Sequence, residues 1–193
     1  MIDKNDLENT RKKIESFDEK RELLIKDSRK VIKTSKLLIY SLHRKELKEA
    51  ENFAVQIKNE LSELEKHTAL HDELKYSPSY KIAVQEYVEA MAFFQFISEK
   101  RLVSRKELNV DAEAYILGIC DLTGELVRKA INSAIAKDFK LASDIKDFVS
   151  ELYGELLKFD FRNGMMRKKF DSIKYDLKKL EDLMYDLKTK GLA

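Results

Sequence analysis

Only five Gly and one Pro, Pro78, punctuate the 193 residues of this chain, and that scarcity narrows the fold more than any other feature. A β protein needs a turn every few residues, whereas long stretches rich in Lys, Glu and Leu favour helix. The expectation is an all-α protein. The longest pattern runs through Ile14, Phe17, Arg21, Leu24, Ser28, Val31, Ser35, Leu38 and Leu42 in alternating steps of three and four. Ile25, Ile32 and Ile39 widen this seam into a core face, as a long helix packed lengthwise in a bundle requires. Arg21, Ser28 and Ser35 interrupt its apolar character.

A second helix is expected from about Lys45 to Leu70, with Phe53, Ile57, Leu61 and Leu64 on one side. KYSPSY at 75–80 breaks it, since the residue before Pro avoids the helical region, and a third helix follows to about Lys100. Ser104 and Glu107 form a capping-box pattern, and Asn109 to Asp111 offers another start before the helix carrying CDLTGEL at 120–126. After Asp138 a further helix runs through IKDFVSELYGELL and should stop near Arg162-Asn163-Gly164. Met165 and Met166 begin the last helix, where packing is their simplest role. That helix has a seam at Phe170, Ile173, Leu177, Leu180, Met184 and Leu187, with Gly191 as a C-terminal cap. No repeat or linker interrupts the chain, so residues 1–193 are expected to form a single-domain bundle of six or seven helices.

Hydrophobic residues at 44% exclude a disordered chain, and 37 Lys plus Arg against 35 Asp plus Glu imply neither a polyanion partner nor a membrane surface. A nucleic-acid site must therefore come from local patterning. Cys120 is the one cysteine, which excludes an internal disulfide, and the charged opening MIDKNDLENTRKK carries no signal-peptide core. A cytoplasmic setting is expected. Apolar runs such as AYILGIC at 114–120 fall far short of the roughly 20 residues that cross a bilayer.

Two of the most apolar segments hold carboxylates. In QEYVEA at 85–90, Glu86 and Glu89 are three residues apart; in CDLTGEL, Asp121 and Glu125 are four apart, so each pair shares a helical face. Val84, Val88, Met91, Phe93 and Phe94 flank the first pair, and Ile116, Leu117, Ile119, Leu122 and Leu126 the second. A carboxylate so placed needs a cation. One answer is Lys or Arg, for instance Arg128 beside Asp121 or Glu125. The other is a metal: all-oxygen ligands favour Mg²⁺ or Mn²⁺ over zinc, and neither motif holds the histidine of a di-iron Glu-x-x-His bundle.

At these residues the chain resembles the translin family, and more closely its translin-associated factor X branch, whose helices carry QEYVEA and DLTGEL followed by an INS triplet. Here those are Gln85 to Ala90, Asp121 to Leu126, and Ile131-Asn132-Ser133. SLHR at 41–44, LVSR at 102–105 and KYDLKKLEDLMYDL at 174–187 extend the likeness over almost the whole chain. The resemblance implies a translin-like all-helical fold, assembly into a closed, hollow octamer, and metal-dependent endoribonuclease activity inside it. It puts the metal-binding and catalytic carboxylates on Glu86, Glu89 and Asp121, with Glu125 adjoining them. Translin itself lacks this acidic set and acts mainly as the nucleic-acid-binding partner. The short connection after the third helix resembles a compact archaeal version, in which a homo-octamer would supply both functions unless a translin-like subunit joins it.

The expected chemistry is metal-activated water attacking a phosphodiester, leaving 5′-phosphate and 3′-hydroxyl ends. The expected guest is RNA, single-stranded or in short duplexes, with single-stranded DNA as a further one. RNA-contact candidates are Arg11, Lys12, Lys13, Arg21, Lys36 and Arg44 on the first helix, although a Lys-rich helix face is commonly just solvated. The alternative is a non-catalytic helical oligomer that binds RNA or single-stranded DNA, or serves as a scaffold. His67 and His71 lack further ligands and read as a structural pair, Cys120 as a packed thiol, and Phe93, Phe94 and Phe96 as core or interface.

Overall fold

The computed structural model describes residues 2–192. It contains α1 (Lys4–His43), α2 (Leu47–Leu70), a 3-10 turn (Asp72–Tyr76), α3 (Pro78–Glu99), the single-turn α4 (Arg105–Leu108), α5 (Ala112–Ile135), α6 (Phe139–Leu156) and α7 (Met165–Thr189). There is no strand among the described residues. The local signals act where expected. Pro78 takes the first position of α3, where its missing N–H costs nothing, and Ser104 and Glu107 form a reciprocal capping box on α4. Asp111 caps α5 by accepting the Ala114 amide. At the far end of α7, Gly191 adopts a left-handed φ of 68°. The Leu192 amide then closes back onto the Leu187 carbonyl at 2.9 Å, as in a Schellman cap.

Helix α1 is 40 residues long, about 60 Å of helix, and packs against α2 and α3. Its seam is buried from Leu24 through Ser28, Val31, Ser35, Leu38 and Leu42, and the Ser35 hydroxyl is satisfied by donating to the Val31 carbonyl. The first part of the seam is not core. Ile14 is 57% exposed and Arg21 sits in solvent beside Asp18. The reason is the length of the partner: α2 folds back antiparallel, and its last turn places His67 against Asp27. Residues before about Phe17 overhang the bundle.

Helices α1, α3 and α5 run in the same direction, as Lys36 and His43 of α1 lie beside Glu86 and Phe93 of α3, while Lys81 and Gln85 of α3 meet Glu113 and Asp121 of α5. The approach of α3 to α5 is set at Gly118, where a Cβ would stand 2.6 Å from Val88 and 2.8 Å from the Gln85 carbonyl oxygen. Only glycine allows this crossing. One turn further along each helix lie the acids.

Helix α5 carries the interior, with Ile119, Leu122 and Leu126 buried against α3, α6 and α7. The seam of α7 is as expected: Phe170, Ile173, Leu180, Met184 and Leu187 are buried, and Leu177 packs at its edge. Helix α6, however, stops at Leu156, well before Arg162. The chain turns there so that Phe161 can bury its ring against Phe170, with Phe159 stacked outside it. Met165 does not pack, being 61% exposed, whereas Met166 does. No helix among the described residues is long and apolar enough to cross a membrane.

Candidate functional site

Glu86 and Glu89 project from α3 and Asp121 and Glu125 from α5, all four half-buried along the crossing that Gly118 permits. Glu86, Glu89 and Glu125 line one cleft of about 370 Å³ with Lys36, Ile39, Tyr40 and Arg128. Asp121 lies at its inner edge, close enough for its charge to act on both α3 glutamates.

The two acids of α5 are already answered by the protein. The Asp121 carboxylate accepts the Gln85 amide on one oxygen and the Lys169 ammonium of α7 on the other. Glu125 faces His43 Nε2 at 2.5 Å, with Arg128 more distant at 3.8 Å. The hydrogen bond from His43, more than the charge of Arg128, holds the Glu125 carboxyl below its ordinary range against the opposing effect of burial. The His43 ring is itself enclosed against Phe93, and its Nδ1 is buried without a partner. The pairing of Glu125 with Arg128 thus exists but is the weaker of its two contacts.

The acids of α3 are in the opposite condition. Burial raises the pKa of Glu86, an effect that Lys36 partly offsets and Asp121 reinforces. Glu89 is pushed up to about 8, first by burial and then by the charges of Asp121, Glu86 and Glu125. A carboxyl group at that value exchanges its proton near neutral pH, as a general acid or base must.

Among the described residues, no three His, Cys, Asp or Glu side chains stand together closely enough to hold a metal ion as placed. The α5 acids are drawn apart, Asp121 toward α7 by Lys169 and Glu125 toward α1 by His43. The chemistry of the set nonetheless fits a hard divalent cation: every donor is a carboxylate, and at Glu89 burial and the charges of three acids outweigh the opposing charge of Lys169. Cys120, next to Asp121, is buried with its thiol pushed up to about 12, so it is a packing residue. His67 is engaged with Asp27 and belongs to no cluster.

The basic residues proposed for RNA contact divide by position. Lys36 is on the cleft and Arg44 lies two turns further along α1, paired with Glu46 at 2.5 Å. Arg11, Lys12 and Lys13 are on the overhang, about 35 Å away along the helix. There Arg11 is held by Glu8 and Glu15, and Lys12 lies near Glu8. Arg21 is likewise beside Asp18 and away from the acids. The sequence reading missed Lys169, Gln85 and the part played by His43. Gly118 in the middle of an apolar helix was the available sign of a close helix approach.

Residues 19–191 match the model of the Translin family. Translin from Bos taurus is 28% identical over 159 residues, covering 75% of this chain and 69% of its own length. Translin-associated protein X from Rattus norvegicus is 26% identical over 220 residues, covering 92% of this chain and 76% of its own. Among solved structures, AfC3PO in complex with duplex RNA superposes with a TM-score of 0.87 at 27% identity, covering 95% of this chain and 97% of the other.

Proposed function

The chain belongs to the Translin family, and on that premise we propose that it is a metal-dependent endoribonuclease whose centre is the set Glu86, Glu89, Asp121 and Glu125. The broader statement, RNA binding by a helical oligomer, is supported by the likeness to AfC3PO, which was solved with duplex RNA. The observation that supports the finer one is the lining of a single helix crossing by four carboxylates, with Glu89 buried among the charges of the other three. Glu86, Glu89 and Asp121 would hold Mg²⁺ or Mn²⁺, with Glu125 adjoining. Such a cation, when bound, lowers the pKa of water and stabilises a leaving oxygen.

The remaining groups act on the substrate and on one another. Lys36 and Arg128 on the cleft rim attract a phosphate into an otherwise acidic cleft. His43 fixes the Glu125 carboxylate toward α1, and Lys169 with Gln85 fixes Asp121. Glu89, buried among the charges of the other three acids, is the carboxylate whose ionised form would gain most from a bound cation. The proposal includes a single-domain chain that assembles as an octamer in the cytoplasm.

A second reading has its own observation. Asp121 is paired with Lys169 and Glu125 is hydrogen-bonded to His43, as the acids of a non-catalytic RNA-binding oligomer would be. Cleavage of a labelled single-stranded RNA in Mg²⁺ or Mn²⁺, beside EDTA and Glu89→Gln controls, separates the two. Cutting by the wild type alone, with 5′-phosphate products, supports the nuclease. RNA binding without cutting, or cutting that survives Glu89→Gln, supports the binding protein or places the centre elsewhere.

A further inference from the structure

Tyr40 stands on the rim of the acidic cleft with 52% of its surface in water. It lies one turn after Lys36 and one turn before Arg44 on α1, so the three side chains form a stripe along one face. The Arg44 guanidinium sits 5.7 Å from the ring centroid and is itself anchored by Glu46. That contact steadies one part of the ring and leaves the rest open. On its other side Tyr40 ends an open, apolar face of α1 formed with Ile32 and Leu37 and edged by Arg29 and Lys33. The neighbouring aromatics Phe93 and Phe96 are buried, so they present no face to a ligand.

A half-exposed ring contributes little to the core. Placed between a phosphate-attracting cleft and an apolar surface edged with cations, its flat face has the shape and polarity that a nucleobase seeks. We propose that Tyr40 is a stacking platform for an unpaired RNA base, next to the phosphate that Lys36 draws into the cleft. The proposal rests on the RNA-directed function above. It selects an unpaired nucleotide, because bases within a duplex already cover one another's faces. It carries little sequence preference, because every base has a π-face. The hydroxyl of Tyr40 has no part in it.

The test is affinity for a fluorescent single-stranded RNA in EDTA, for the wild type, Tyr40→Phe, Tyr40→Ala and Tyr40→Leu. The last variant keeps the apolar bulk without the π-face. A ribose-phosphate oligomer of the same length without bases is measured alongside. Expected are wild-type affinity for Tyr40→Phe and a roughly 5- to 100-fold loss for Tyr40→Ala and Tyr40→Leu. The abasic oligomer should bind all four proteins equally. Unchanged affinity in Tyr40→Ala and Tyr40→Leu overturns the proposal, as does loss in Tyr40→Phe or an equal loss on the abasic oligomer. Cleavage by the wild type in Mn²⁺ is followed in parallel. Tyr40-dependent binding without cleavage would refute the nuclease and leave the platform standing; cleavage with Tyr40-independent binding would do the reverse.

Discussion

Glu89→Gln removes a charge that the fold resists. The wild-type carboxyl moves from an ordinary value of 4.5 to about 8 on folding, with burial as the main cause. Between those values the native state holds a proton that the unfolded chain has released, so stability falls as pH rises through the window and the full cost applies above about 8. At about 1.4 kcal/mol per pH unit, the ceiling on that cost is about 5 kcal/mol. Partial access of water to the cleft and rearrangement of Glu86 and Lys169 screen it, which leaves about 2 kcal/mol as the expected effect. Glutamine has nearly the same shape and no charge at any pH. The variant should therefore exceed the wild type by about 2 kcal/mol near pH 9, with the gap closing toward pH 5. Urea denaturation of both proteins in EDTA at the two pH values measures this, and the difference between them cancels every titrating group that does not interact with Glu89. A variant less stable than the wild type near pH 9, or a gap that ignores pH, would refute a carboxylate raised by burial at this position.

Gly118→Ala should lower stability by about 1–3 kcal/mol, because the added methyl meets Val88 and the Gln85 backbone and pushes α3 from α5. It should also weaken Mn²⁺ binding by spreading the acids. An unchanged urea midpoint would contradict the close crossing. Lys169→Met leaves the partly buried Asp121 without its ammonium and should cost about 1–2 kcal/mol in EDTA. Lys169→Arg should retain most of that stability, so equal unfolding of the Met and Arg variants would show that the ion pair contributes nothing.

How much of this was legible depended on the distance over which each interaction is encoded. The α7 seam and its Gly191 cap are written in adjacent residues, and both are found in place. The pairing of Glu86 with Glu89, and of Asp121 with Glu125, on shared faces follows from helical periodicity in the same way. Periodicity does not record how long a partner helix is, so Ile14 and Arg21 read as core although α2 ends before reaching them. Nor does it show that Phe161 is better buried by ending α6 early than by extending it. The partners of the α5 acids were the least visible. Lys169 is 48 residues from Asp121 and His43 is 82 from Glu125, and nothing local distinguishes that lysine from the many solvated ones.

The ion pair between Lys169 and Asp121 also has an order in time. Asp121 gains its ammonium partner only when the chain has been synthesised as far as residue 169 and α7 has docked. At roughly 5–20 residues per second, the 48 residues between them occupy about 2–10 s. During that interval a nascent chain carries all four carboxylates and lacks this cation. The contact that holds Asp121 on this side of the site is thus among the last that a growing chain can make, because α7 is the final helix of the described residues.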